Sequence, residues 1–160
     1  KKGWIQAEYL GKKLKREKIS KIYTSDMKRA KETANIISRI INVPVKSSFE
    51  ELNEYHHKIL KSNLRILFNP RLRRLKKILK EISKDREKNK TILIVTHGVA
   101  NKIIIGYLLQ LPLKKQLLRF AQHNTGINIL SWNETFKNWA LKSMNDTSHL
   151  PERLKKVKEK

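Results

Sequence analysis

The stretch Thr91-Ile92-Leu93-Ile94-Val95-Thr96-His97-Gly98 decides how the chain is read. Five apolar or β-branched residues follow one another without alternation and stop at a polar triplet. An unbroken run of this kind predicts a strand buried on both faces, in the interior of a parallel sheet. Val99 to Gln110 then carries apolar side chains at helical spacing, so strand, polar turn and helix succeed one another. In open α/β sheets ligands gather beyond the carboxyl ends of the strands, which is where His97 falls. The following helix offers unpaired N–H groups to an anion there, and Gly98 lets backbone approach a ligand closely. On spacing alone, His97 is equally a cap for that helix.

The same alternation recurs upstream. Gly3 to Lys18 reads as an amphipathic helix, with Ile5, Leu10 and Leu14 at helical spacing. Ile19 to Ser25 is β-prone and ends at Ser25-Asp26. Met27 to Ile41 follows as a helix whose inner face is Ala30, Ala34, Ile37 and Ile41, with Asp26 as candidate N-cap. Arg29 lies in its first turn, where a cation opposes the helix dipole. That position is better explained by an anion than by a solvated face. Asn42-Val43-Pro44 is a turn, and Val45 to Phe49 a short edge strand. Glu50 to His57 is a polar loop whose neighbouring carboxylates and histidines suit acid–base chemistry, metal binding or plain loop polarity.

Leu64 to Ile82 predicts a long basic helix, interrupted or restarted at Pro70, with Leu72, Leu75, Ile78, Leu79 and Ile82 facing a core. Beyond the Thr91 strand and its helix, Leu111-Pro112 is a stop. Gln122 to Thr125 is a polar loop, and Gly126 to Trp132 and Phe136 to Met144 form a hairpin turned at Asn133-Glu134. The whole predicts a three-layer α/β/α sandwich with a mainly parallel sheet. We expect one domain over residues 1–150, with 151–160 a basic C-terminal tail.

Composition narrows the class. The 160 residues suffice for one domain with a real core. No apolar run approaches the roughly 20 residues of a membrane helix, and the mean hydropathy of −0.60 predicts a soluble protein, which we expect to be cytoplasmic. Without cysteine, thiolate catalysis, disulfides and cysteine metal sites are excluded. The net charge of +23 predicts attraction to polyanions, although the lysines are spread along the helices and show no aromatic–basic interleaving. The five histidines, His56, His57, His97, His123 and His149, lack a compact ligand spacing such as His-x-x-x-His, which argues against a metal-dependent hydrolase. Oligomeric state is not legible.

Several segments together resemble one family. Tyr23-Thr24-Ser25-Asp26-Met27-Lys28-Arg29-Ala30-Lys31-Glu32-Thr33-Ala34 looks like the second signature of the histidine phosphatase superfamily, with its phosphoglycerate mutase-like fold. Val95-Thr96-His97-Gly98 resembles its second catalytic histidine motif. Leu52-Asn53-Glu54-Tyr55-His56-His57 is similar to the segment bearing a proton-donating glutamate. Gly3 to Gly11 matches the helix leading into the second signature, and Asn145 to Leu150 is similar to an ending seen in some phosphatase-like members. The segments stand in the family's order over nearly the whole chain.

The resemblance implies a metal-independent phosphomonoesterase needing no cofactor and acting through a phosphohistidine on a phosphorylated small molecule. Arg29 would grip phosphoryl oxygens, His97 would stabilise their charge, and Glu54 would protonate the leaving oxygen and later activate water. Gly98 and Val99 amides and His57 would help to bind substrate. One element departs from the pattern: the strand ending in Arg-His-Gly, whose histidine is the nucleophile, has no counterpart in residues 1–160. Omitting that central strand would leave backbone groups unpaired at roughly 1–3 kcal/mol each. The expectation is therefore a segment ahead of Lys1 that carries it. The glycine-containing stretch usual after His57 is also missing, which favours hydrolysis over mutase-type transfer. A non-catalytic member that binds phosphate or polyanions is the other alternative.

Overall fold

The computed structural model describes residues 2–56, 69–84, 90–111 and 119–155. Three strands, β1 (Ile19–Ser25), β2 (Val45–Phe49) and β3 (Thr91–Val95), form a parallel sheet in the order β2-β1-β3. Helices α1 (Lys2–Leu14) and α2 (Lys28–Ile41) lie on one face, and α3 (Pro70–Lys84) and α4 (Gly98–Leu108) on the other. The antiparallel hairpin of β4 (Ile127–Asn133) and β5 (Asn138–Asp146) is a separate two-stranded sheet, and α5 (Glu152–Lys155) follows. The architecture is the expected α/β/α sandwich.

The unbroken apolar run of β3 has a simple cause. Ile92 and Ile94 pack against the core of Leu72, Leu75, Leu79, Ala100 and Ile103, whereas Leu93 and Val95 pack against that of Leu10, Leu14, Ala34 and Ile37. Successive side chains point to opposite faces, so a strand covered on both sides needs apolar residues throughout. The expected interior position is not met, however. Within the described sheet β1 is the central strand and β3 an edge, its Ile92 to Val95 only half-buried.

Local signals place the ends of the helices. Proline at the first position of α3 loses no helical hydrogen bond, and Asn69 Oδ1 accepts the Leu72 N–H at 3.1 Å. The helix thus starts at Pro70, and the part expected from Leu64 to 68 lies outside the described residues. Asp26 does not cap α2. The N-cap position is Met27, which has no side-chain cap bond; its own N–H donates to Ser25 Oγ at 3.1 Å. Asn42 closes α2 in the left-handed conformation at φ 56°. Leu154 is buried, and its carbonyl accepts from Gln6 Nε2 at 2.9 Å, so the start of the basic C-terminal segment packs on α1.

Candidate active site

Parallel strands bring β1 and β3 to the same end of the sheet, with Thr24 opposite Val95. The residues just beyond, Ser25 and His97, are therefore neighbours although 72 positions apart. His97 Nε2 lies 2.8 Å from Ser25 Oγ. By backbone position His97 is the N-cap of α4, but its side chain makes no cap bond, which removes the simple capping explanation. The ring is 6% exposed and the serine fully buried.

The loop after β2 closes over this pair. A short 3-10 turn, Glu50–Leu52, is followed by Asn53, whose Oδ1 accepts from the Asp26 N–H at 3.1 Å and lies 2.5 Å from Ser25 Oγ. Glu54 Oε1 accepts the N–H groups of Val99 at 3.0 Å and Tyr55 at 3.2 Å. The Val99 amide thus serves this carboxylate.

Behind the loop stands Arg71 of α3. Its guanidinium donates to the carbonyls of Glu54 at 3.2 Å and Glu50 at 3.0 Å, and stacks 3.9 Å from the centroid of the Tyr55 ring. Burial pushes the Tyr55 hydroxyl up to about 12, and that hydroxyl donates to the Glu51 carbonyl at 2.8 Å. Arg74 pairs with Glu51 and Glu50, each at 3.2 Å.

Arg29, Glu54, His97 and Gly98 border one cavity of about 930 Å³. A Cβ on Gly98 would meet only Gln122 at 3.8 Å, so the backbone there faces open space. Burial first, and then the positive charge of Arg29, hold the His97 imidazole below its ordinary 6.5, against the opposite pull of Glu54. A cation, a carboxylate and an imidazole around one cavity suit an anion that gains or loses a proton. His57 lies outside the described residues. Among the described residues no group of three or more His, Asp or Glu side chains is placed to hold a metal ion.

Ser25, Asn53 and Arg71 are the site residues that the sequence reading left without a role. Ser25 and Asn53 stand inside the motif segments, but their partnership crosses two loops. The Arg71 side chain reaches its carbonyls only because α3 packs behind the loop.

The model of the histidine phosphatase superfamily (branch 1) matches residues 1–63 and 69–147. The chain belongs to that superfamily. Among solved structures it is similar to Bacillus stearothermophilus YhfR, with 27% identity over 93% of this chain and 85% of that one and a TM-score of 0.74. It is also similar to a mutant phosphoserine phosphatase of Entamoeba histolytica in complex with phosphoserine (24% identity, 92% of this chain and 83% of that one, TM-score 0.71). The alpha-ribazole phosphatase of Shigella flexneri shares the fold at 22% identity, 89% and 81% coverage and TM-score 0.68. No curated protein matches the sequence. Among the described residues no helix is long and apolar enough to cross a membrane.

Proposed function

We propose that the protein is a metal-independent phosphomonoesterase of the cytoplasm, acting through a phosphohistidine on a phosphorylated small molecule. The observation that carries this reading is the shared cavity of Arg29, Glu54 and His97, drawn from three separate parts of the chain. Phosphoryl transfer needs positioning and neutralisation of three equatorial oxygens more than covalent machinery. Arg29 supplies a two-pronged donor, His97 a second cation, and Glu54 a proton for the leaving oxygen and a base for water. The surface charge of +23 adds a salt-sensitive attraction for polyanions.

The nucleophile of this scheme is a histidine on a strand ahead of Lys1, seated against the edge of β3 that no strand pairs among the described residues. Two features support it. The Ile92 to Val95 edge is apolar and half-buried, and it lines the cavity of about 930 Å³ together with Ile127 and Ile129 of β4. The short stretch between His57 and α3 supports hydrolysis over mutase chemistry, which must shield the phosphohistidine from water. The test is turnover of a panel of phosphomonoesters by full-length protein in EDTA. Turnover supports the reading. Activity that disappears with the metal, or none on any ester, contradicts it.

A further inference from the structure

We infer that Ser25 and Asn53 set the tautomer of His97: they hold the proton of the neutral ring on Nε2, so the ring faces a phosphoryl group through Nδ1 and donates to it only as imidazolium. The inference rests on the proposed phosphatase function for its use, but its geometry stands alone.

Two backbone donors fix the directions of the bonds around Ser25. The backbone N–H of Asp26 points to the Asn53 side-chain atom 3.1 Å away, so that atom is the amide oxygen. The backbone N–H of Met27 points to Ser25 Oγ at 3.1 Å and fills one lone pair of the hydroxyl. Ser25 Oγ lies 2.5 Å from Asn53 Oδ1. Two oxygens so close repel unless a proton stands between them, and only the serine has one. Its single proton is therefore committed to Asn53. One lone pair remains on Oγ, and His97 Nε2 meets it at 2.8 Å, so the ring nitrogen must be the donor.

The consequence concerns the other nitrogen. His97 Nδ1 has no hydrogen-bond partner among the described residues and is not among the sealed polar atoms. The ring borders the same cavity as Arg29 and Glu54. In the neutral form Nδ1 presents a lone pair, which repels a phosphate oxygen. A dianion thus binds well only with one proton taken from solvent onto Nδ1, or with the proton that a monoanion brings. The charges facing the ring are Arg29 from α2, Glu54 from the loop and Arg71 from α3. The first and last oppose that proton, and Glu54 favours it. Ser25 and Asn53 are positioning residues in this scheme, since neither touches the reacting atoms.

The test reads the ring directly. In full-length protein with 15N-labelled histidine, the neutral state of His97 should be the Nε2–H tautomer. Asn53→Leu frees the serine proton to turn toward the ring and should move His97 toward Nδ1–H. Asn53→Asp keeps the acceptor oxygen and should leave the tautomer unchanged. Sulfate, a dianion at all pH values used, should raise the midpoint of His97 titration, and its affinity should fall up to tenfold per pH unit above that midpoint. An Nδ1–H ring in the unmodified protein, an unchanged ring in folded Asn53→Leu, or sulfate affinity independent of pH overturns the inference. Loss of all phosphatase activity with the Nε2–H ring and sulfate linkage intact contradicts the proposed function and supports the ring assignment.

Discussion

Glu54 Oε1 accepts the backbone N–H of Val99 at 3.0 Å, tying a carboxylate to the first turn of a helix 45 residues further on. A negative group is favoured at that helix terminus, and the contact holds Glu54 beside the cavity. A general acid in this position works by exchanging that contact for a leaving oxygen. Glu54→Gln keeps an oxygen for Val99 but cannot deliver a proton. Turnover of an alkyl phosphate should fall by about 10²–10⁴-fold. Turnover of p-nitrophenyl phosphate, whose leaving group needs no proton, should fall far less. Equal losses on both substrates would remove Glu54 from proton transfer.

Arg29 is exposed in the first turn of α2, away from the buried face of Ala30, Ala34 and Ile37. Arg29→Ala should abolish phosphatase turnover while leaving stability within about 0.5 kcal/mol, as for other surface substitutions. Activity within about threefold of the unmodified protein, under ~0.7 kcal/mol in the barrier, would exclude Arg29 from the mechanism. Thermal unfolding of the same sample separates the two effects.

His97 and His149 are both held below the ordinary 6.5, chiefly by burial. The unfolded chain therefore binds protons at these positions more readily than the folded one. Stability should fall as pH drops from above 6.5 toward the folded values, then level off. The Asp146 carboxyl, held low mainly by its hydrogen bond from the Ser148 backbone, acts in a more acidic window and also loses its contribution as pH falls. Urea unfolding between pH 8 and 5 should show the loss, and His97→Gln should reduce it. A stability that rises on acidification through 6.5 would refute the burial argument.

Gly126 sits where the polar loop meets the hairpin. A Cβ there would lie 2.3 Å from Asn145 Oδ1 and 3.2 Å from the His123 carbonyl. Asn145 Oδ1 also accepts the His123 N–H at 2.7 Å, so it is not free to withdraw. Gly126→Ala should destabilise the protein by about 1–3 kcal/mol, the usual effect of forcing an atom into a packed region. An unchanged urea midpoint would mean that the loop yields.

The sequence carried the fold wherever a pattern is local. The run Ile92 to Val95 fixed a strand covered on both faces, and the spacing of Leu72, Leu75, Leu79 and Ile82 fixed the buried side of α3. Sheet order was not legible, because strand pairing depends on which edges meet; β1 took the centre and β3 the edge. At the site, Arg29, Glu54 and His97 could be singled out because each belongs to a family motif. Their meeting at one cavity is a property of parallel strands ending together. The Ser25–Asn53–His97 linkage was hidden for the same reason, since it joins three loops with no fixed spacing. The start of α2 is a smaller case, in which Met27 holds the N-cap position without a side-chain cap bond and Asp26 does not cap.

The most direct measurement is chemical. Full-length protein is mixed with a 32P-labelled phosphomonoester, quenched in denaturant during turnover, and the phosphorylated residue is located. The account predicts acid-labile, base-stable label on a histidine of a segment ahead of Lys1, and none on His97. Turnover with no covalent phosphate at any time after mixing, or label on His97 itself, would contradict it.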